Sequence, residues 1–354
     1  MKAYIAIILC ILLLLAGCQH TLSNTTSTES SGPLPTTENF TIEEEHTEET
    51  GDPTETTSYF PVEEQRFTFS HHLIRDAAKE MLGQDYALYY KLVDAYINHD
   101  ETISGFSSEE QFRSLFSVFQ NEYYPAEKFA ATFKSHEQPF VYSNGTVTIR
   151  YQYDQAECDR YIRDFENKIN TTLSVIEDDD SDVEIIEKLY HHVCTTMSYD
   201  NSFSSSKMYD HIMHNSGCTV TEYFELLLRC AGIECLSCFA ADNSNTTYDT
   251  SWVIAKMNGS YYHFDPSWQA TLSPDGWQWF AMSDDVRLRS LTTEWFDDLF
   301  AGINPYEDAR ITVPAVDIQR SSPYYNTDPL NVPKCTSSYY DETRFDAYSL
   351  PSTW

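Results

Sequence analysis

Cys218 stands where a cysteine could act as a nucleophile. It is followed by Val220, Phe224, Leu227 and Ala231, whose spacing predicts an amphipathic helix that begins beside the thiol. The partial positive charge at a helix N-terminus lowers the pKa of a thiol, and the thiolate is the reactive form. The chemistry to consider first is therefore attack of Cys218 on an amide or acyl carbonyl through a covalent intermediate.

Such a nucleophile needs an imidazole to take its proton and a carboxylate to orient that imidazole. His263 lies two residues before Asp265, so the two side chains share one face of a predicted strand. Asp265 also stands directly before Pro266 at a strand end, where a carboxylate commonly accepts hydrogen bonds from backbone amides. Asp265 is thus a candidate for a catalytic or a structural role, and the structural role is favoured.

Three further histidines lie in the same part of the chain. His211 and His214 precede Cys218 by seven and four residues, in a predicted loop or helix end, and are interpreted as surface or capping residues. His191 lies in the preceding predicted helix and is interpreted as structural. On sequence grounds, none of the three is a strong partner for Cys218.

The remaining cysteines do not form a metal-binding pattern. Cys230 falls at the end of a predicted helix, whereas Cys235 and Cys238 fall in a predicted strand, where cysteine is a common small buried residue. No Cys-x-x-Cys pair is duplicated and no histidine pair has ligand spacing, so no metal and no cofactor are predicted. Seven cysteines lie beyond residue 18, and because seven is odd at least one thiol stays free or pairs between chains.

Apolar periodicity and turn residues predict the elements that would position these side chains. Helices are predicted over residues 70–100, interrupted near Gly83, over 108–120, over 155–176, and from Ser181 or Asp182 onward. Asn144-Gly145 and Asn258-Gly259 each lie between alternating β-formers, which predicts two hairpins. Further strands are predicted at "IECLSCFA" and "TSWVIAKM", and the tail beyond Ser290 is expected to wrap the domain.

In this order the elements resemble the bacterial transglutaminase-like superfamily, which has a papain-type fold. The resemblance covers roughly residues 105 to 290. It rests on "YHHV…MSYD" (190–200), "SGCTVTEYFELLLRCAGI" (216–233), "TSWVIAKMNGSYYHFDPSW" (250–268) and "WFAMSDDVR" (279–287). It implies an α+β fold in which the helix that carries the cysteine position packs on an antiparallel sheet. This core is expected over residues 181–290, after a mainly helical region with a β-hairpin at 66–180 and before a tail at 291–354.

The resemblance also implies catalytic positions, and two of them lack the expected residue. Active members use a cysteine at the start of the central helix, a histidine on the next strand and an aspartate on the following strand. Their helices place Gly-Ile fifteen residues after the cysteine, and counting back from Gly232 reaches Gly217, one residue before Cys218. Successive residues on a helix are rotated by about 100° about its axis, so Cys218 and the Gly217 position would face different directions. Asp265 occupies the aspartate position, but Thr250 stands fifteen residues earlier, where the histidine is expected.

The N-terminus is typical of an exported lipoprotein. Lys2 precedes about fifteen mostly apolar residues, fewer than the roughly 20 that a spanning helix needs. The run ends in Leu-Ala-Gly-Cys, which resembles a lipobox and implies cleavage and lipidation at Cys18. Residues 19–65 hold eleven acidic side chains and no Lys or Arg, so we expect a disordered spacer. The mature chain is therefore expected outside the cytoplasm, tethered to the membrane by its lipid.

Three functions remain open at this point. The formal net charge of −33 argues against a nucleic-acid partner, because phosphate binding needs a basic face. The favoured hypothesis is a catalytically inactive domain that binds a cell-wall component, a peptide or a surface protein, with Trp252, His263 and Trp268 as candidate binding residues. The second is an active acyltransferase or peptidase that uses Cys218, Asp265 and a nearby histidine. The third is a structural scaffold that only carries a partner.

Overall fold

The computed structural model describes residues 65–129, 139–198, 207–241, 247–292, 310–312 and 332–339. The predicted signal, the lipidation site Cys18 and nearly all of the acidic spacer lie outside these ranges. The described residues belong to one unit that spans Gln65–Trp354. Within them, no helix has the length and apolar composition that crossing a bilayer requires.

Helices make up most of the described regular structure. They are α1 (Asp76–Leu82), α2 (Tyr86–Asn98), α3 (Glu109–Glu122), α4 (Tyr124–Phe129), α5 (Gln155–Leu173), α6 (Asp182–Thr196), α7 (Met208–Met213), α8 (Val220–Cys230), α9 (Pro266–Leu272) and α10 (Asp284–Thr292). The predicted interruption near Gly83 is confirmed, since a short 3-10 turn separates α1 from α2. The helix predicted over 155–176 ends three residues earlier than expected.

Side-chain caps fix where several helices begin. Ser108 Oγ accepts the backbone N–H of Gln111 at 3.1 Å ahead of α3. Before α6, Ser181 and Glu184 form a reciprocal capping box, in which each side chain bonds the backbone N–H of the other residue. These bonds satisfy N–H groups that the first turn of a helix leaves without a partner. The predicted helix starts at Ser108 and Ser181 are therefore confirmed.

Two antiparallel sheets are present in the described residues. The strands are β1 (Thr102–Ser104), β2 (Phe140–Ser143), β3 (Thr146–Ile149), β4 (Cys235–Ala241), β5 (Thr247–Met257), β6 (Ser260–Phe264) and β7 (Arg310–Thr312). The first sheet has the order β1-β3-β2 and the second has the order β6-β5-β4-β7. Both predicted hairpins are confirmed: Asn144 and Asn258 have φ of 49° and 51°, and the glycine after each has φ of 79°. Positive φ at both central residues is the type I′ geometry that suits a two-residue hairpin.

The long helix α5 contributes to two large groups of buried side chains. Cys158 and Ile162, near its start, pack with α1–α4 and the first sheet. Ile169 and Leu173, near its end, pack with α6, α8 and the inner face of the second sheet. The chain therefore has an α+β fold in which the region before residue 180 and the region after it share one helix.

A buried ionic cluster also joins the two parts. Arg75, before α1, donates from Nε to Glu122 Oε1 at 2.6 Å. Arg229, on α8, lies with its Nη1 3.6 Å from Glu122 Oε2. The Glu122 side chain is completely buried, so its charge depends on these two guanidinium groups.

Candidate functional site

The start of α8 lies against strand β5 of the second sheet. Residues 217–219 form a 3-10 turn that leads directly into α8, and Gly217 N donates to Ser198 O at 2.7 Å. One turn further, Thr221 Oγ1 donates to Ser251 O on β5 at 3.1 Å. The same 3-10 turn packs against α9, which begins directly after Asp265. The backbone at three sequence-predicted positions, namely Gly217, Thr250 and Asp265, is thus brought to one region; the side chains of Cys218 and Thr250 lie outside the described residues.

Asp265 is completely buried and both of its carboxylate oxygens are engaged. Oδ1 accepts the backbone N–H of Trp268 at 3.0 Å and so caps α9. Oδ2 forms an ion pair at 2.7 Å with Nη2 of Arg287, which is on α10 and also completely buried. The capping role was predicted for Asp265 from its place before Pro266; the pairing with Arg287 was not.

Arg287 is held on two sides. Its guanidinium carbon lies 4.0 Å from the ring centroid of Trp252, a cation–π arrangement, while its Nη2 faces Asp265. Burial raises the pKa of Asp265, and the guanidinium opposes that shift. The negative charge of Asp265 is therefore balanced by an arginine rather than by an imidazole.

His263 is fixed in one protonation state by its two neighbours. Trp252 Nε1 donates to His263 Nδ1 at 2.9 Å, and an indole N–H can only donate. Nδ1 therefore carries no proton, and the ring proton lies on Nε2, which donates to Asp284 Oδ1 at 3.0 Å. Burial lowers the pKa of His263, and Arg287 lowers it further, against the raising effect of Asp284. His263 is a neutral donor, so it has no lone pair available to act as a base.

The same tautomer bears on a potential metal site. The ligand atoms of His263, Asp284 and Cys335 lie within 4.8 Å of one another, which is a suitable set of donors by residue type. A metal at Nε2 would require the ring proton to move to Nδ1. Two N–H donors, those of His263 Nδ1 and Trp252 Nε1, would then face each other. These three residues therefore form a hydrogen-bonded group rather than a metal site.

The thiols whose side chains are described are not activated. All six are free, and burial is the main reason that the pKa of each one is raised. The pKa is about 11 for Cys158 and about 12 for Cys230. A thiol in this state is mostly protonated at neutral pH and is a poor nucleophile.

The other sequence-predicted histidines make contacts of a structural kind. His211 is buried within α7, so the interpretation of this residue as a surface or capping histidine is wrong. His214 follows α7, and its Nδ1 lies 2.7 Å from the carbonyl oxygen of Asp210. His191 is exposed on α6 and stacks on Trp277, with the ring centroids 6.1 Å apart.

The three predicted binding residues differ in exposure. Trp252 and His263 have no exposed surface, so their observed contacts are with the protein itself. Trp268 is half-buried, and it packs against the side-chain clusters that contain Trp252 and Leu272. Of the three, Trp268 alone has surface that a ligand could touch without a rearrangement.

Sequence reasoning missed Asp284, Arg287 and Cys335. Asp284 and Arg287 lie in "WFAMSDDVR", a stretch that carries the resemblance, but a pairing partner twenty-two residues away leaves no local pattern. Ser283 caps the turn that follows, since its Oγ accepts from Val286 N at 3.2 Å, and this Ser-Asp-Asp helix start was a readable signal. Cys335 lies in the tail, where periodicity is weak.

No protein-family model matches this chain, and no curated protein matches it either.

Proposed function

We propose that this chain is a transglutaminase-like domain that has lost its nucleophile and its general base. It acts as a binding module at the outer face of the membrane, where lipidated Cys18 holds it. Its ligand is a cell-wall component, a peptide or a surface protein. The observation that carries the proposal is the engagement of Asp265 by Arg287 and by the start of α9.

A catalytic aspartate must accept a hydrogen bond from the imidazole that it orients. Both oxygens of Asp265 are already engaged, one by a backbone amide and one by a guanidinium. Gly217 offers no thiol and Thr250 offers no base at the positions that the resemblance implies. The nearest buried imidazole on the same strand, His263, is a hydrogen-bond donor. These four residues together support loss of the reaction.

The papain-type core is supported by how α8 and the second sheet meet. Val220, Phe224 and Leu227 of α8 pack into one cluster with Val253 and Phe264 of the sheet. The α8 start, the middle of β5 and the end of β6 converge, which is the relative order that a cysteine, a histidine and an aspartate need in that fold. A binding role keeps this arrangement of helix and sheet while it dispenses with the chemistry.

The competing function is an acyltransferase or peptidase that uses Cys218, which lies in the 3-10 turn ahead of α8. The full chain can be treated with iodoacetamide near pH 6, and modification of Cys218 can be followed by peptide mass. We expect slow labelling that is unchanged in His211→Gln, His214→Gln and His263→Gln variants. Rapid labelling that any one of these changes abolishes would establish the enzyme instead.

A second experiment asks whether the site can be restored. The double variant Gly217→Cys/Thr250→His supplies both missing groups at the positions that the resemblance implies. We still expect no amide hydrolysis or acyl transfer, because Arg287 continues to occupy Asp265. Activity in the double variant would show that the Arg287 pair does not block the site.

Binding can be measured by co-sedimentation of the full chain with purified cell wall. We expect the chain to sediment with the wall, and equally well in the Cys218→Ser variant. Binding that disappears in Cys218→Ser would favour the enzyme. A chain that stays in the supernatant would remove the cell wall as ligand.

A further inference from the structure

The described cysteines are not spread evenly through the fold. Cys158 and Cys194 lie in different clusters of buried side chains. Cys230 and Cys235 lie at the end of α8 and the start of β4. The remaining two, Cys238 and Cys335, are ninety-seven positions apart in sequence yet lie in the same small cluster.

That cluster brings Cys238 and Cys335 to the outer face of the second sheet. Its buried members are Cys238, Trp252, Ile254, Leu291 and Cys335, and the two cysteines are 0% and 1% exposed. Cys238 on β4 is paired directly with Trp252 on β5, so these two side chains share a face of the sheet. Cys335 reaches the same face from the segment 332–339.

Specific bonds hold the 332–339 segment in this place. Asp284 N donates to Cys335 O at 2.8 Å, and Cys335 N donates to Asp284 Oδ2 at 3.3 Å. Further along, Ser283 N donates to Ser338 Oγ at 2.9 Å and Tyr339 N donates to Ala281 O at 3.0 Å. The backbone of Cys335 is therefore held through both its N–H and its carbonyl oxygen.

Neither thiol has a strong partner of its own. Cys238 Sγ lies 3.7 Å from Trp252 O, and Cys335 Sγ lies 4.0 Å from Pro333 O, both at the long end for a thiol donor. Both thiols are buried in the apolar cluster that Trp252, Ile254 and Leu291 complete. Neither makes a hydrogen bond that a bond between the two sulfurs would have to break at a large cost.

We propose that Cys238 and Cys335 form a disulfide that fastens the 332–339 segment to strand β4. The proposal rests on the export of the chain, which is part of the proposed function, because disulfides form and persist in oxidising compartments. Five of the seven cysteines beyond residue 18 stay outside this bond, and because five is odd at least one of them remains a thiol or pairs between chains.

The reaction needs an oxidant, and a small disulfide such as oxidised glutathione is sufficient. The thiolate of one cysteine attacks it, forms a mixed disulfide and releases one reduced glutathione. The thiolate of the second cysteine then displaces the other glutathione, so the two thiol protons end on two glutathione molecules. Since burial raises the pKa of both thiols, the exchange proceeds before the segment closes over the sheet.

The test is a refolding experiment on the full chain. Reduced, unfolded protein is refolded with oxidised and reduced glutathione, alkylated, and digested with trypsin without reduction. Cleavage after Arg229, Lys256, Lys334 and Arg344 yields peptides 230–256 and 335–344. We expect these two peptides as one linked species, two hydrogen masses below the sum of the separate peptides.

Peptide 230–256 also contains Cys230 and Cys235, so matched variants assign the bond. The link is expected to disappear in Cys238→Ser and to persist in Cys235→Ser. Recovery of 335–344 as a singly alkylated peptide from the wild type, or a link that survives Cys238→Ser, would overturn the proposal.

A second readout covers the case in which Cys238→Ser does not fold. The unfolding midpoint of the oxidised wild type is expected above that of the reduced wild type, because the bond closes a loop of about one hundred residues. Cys335→Ser should give one midpoint under both conditions, and two distinct midpoints for that variant would contradict the assignment. Neither measurement depends on the reactivity of Cys218 or on a ligand, so failure here leaves the proposed function standing.

Discussion

At the scale of single residues, the site is defined by which groups are already paired. Trp252 fixes the proton of His263, and Arg287 balances the charge of Asp265. Both arrangements are internal to the protein, and neither His263 nor Asp265 is poised for proton transfer. The residues that would mark an active site by type are those that hold α9, α10 and the second sheet together.

Removing Arg287 should destabilise the fold strongly. In Arg287→Met the Asp265 carboxylate stays buried without its counter-charge, and we expect a loss of about 3–5 kcal/mol. The double variant Asp265→Asn/Arg287→Met should recover a large part of that loss, because no buried charge remains. Urea unfolding of the three proteins measures both differences. Equal losses of unfolding free energy in the single and double variants would mean that the unpaired Asp265 charge does not cause the destabilisation.

His263 should make stability depend on pH in one direction. Its pKa is lowered from 6.5 in the folded state. Just below pH 6.5 the imidazole is therefore protonated in the unfolded chain but still neutral in the folded chain. Above pH 6.5 neither state binds that proton and the contribution vanishes. As the pH falls below 6.5, proton uptake stabilises the unfolded state relative to the folded state, and the free energy of unfolding declines.

This decline can be isolated by comparison of the wild type with His263→Gln between pH 7.5 and 5.5. The pKa values of His71 and His192 are also lowered by burial, so both proteins should lose stability, and the wild type should lose more. Parallel pH curves for the two proteins would contradict the tautomer assigned to His263.

The sequence was informative about the site only where the signal is local. The cap supplied by Asp265 could be predicted because Pro266 and Trp268 lie directly after it. The Arg287 pair could not be predicted, because it depends on how α10 packs against α9 and the second sheet.

At the scale of elements, caps and turns predicted the long helices and the hairpins well. Ser108, Ser181 and the two Asn-Gly pairs act through neighbours within three residues, so their effect can be read directly from sequence. The short helices α4, α7 and α9 and the strand β1 were not predicted. The three helices have only one or two turns each and β1 has three residues. Such short elements are stabilised by tertiary contacts and are too short to show a clear apolar periodicity.

The contact between the N-terminal helices and α8 gives a test at this scale. Glu122→Ala removes the carboxylate that pairs with Arg75 and faces the buried guanidinium of Arg229, which leaves Glu225 to balance the two arginines. We expect a loss of about 3–5 kcal/mol. Glu109→Ala removes an exposed ion pair with Arg113 on the same helix and should cost at most about 0.5 kcal/mol. The unfolding free energies of the two variants are the measurement, and similar values would contradict the role given to Glu122.

At the scale of the whole molecule, charge is the dominant property. A formal net charge of −33 produces long-range repulsion of nucleic acid and of other polyanions. It also opposes compaction, because like charges repel one another over the folded surface.

Salt should therefore stabilise the folded unit. Raising NaCl from low to moderate concentration screens the repulsion between exposed carboxylates, and we expect a higher thermal unfolding midpoint. A scan of the midpoint against NaCl is the measurement, with a non-ionic osmolyte at equal osmolality as control. A midpoint that falls with added salt would show that attractive pairs outweigh the net repulsion.

The placement of residues 332–339 has a consequence for the order in which the molecule is completed. A ribosome delivers the chain from its N-terminus, so α8 and strands β4 to β6 are available well before Cys335 appears. Until then the outer face of the second sheet lacks the segment that bonds to Asp284 and covers Trp252. Among the described residues, the last to be delivered are therefore the eight of this stretch, which lies about forty positions beyond α10. A nascent chain arrested before that stretch should present Trp252 to quenchers and chaperones that cannot reach it in the finished protein.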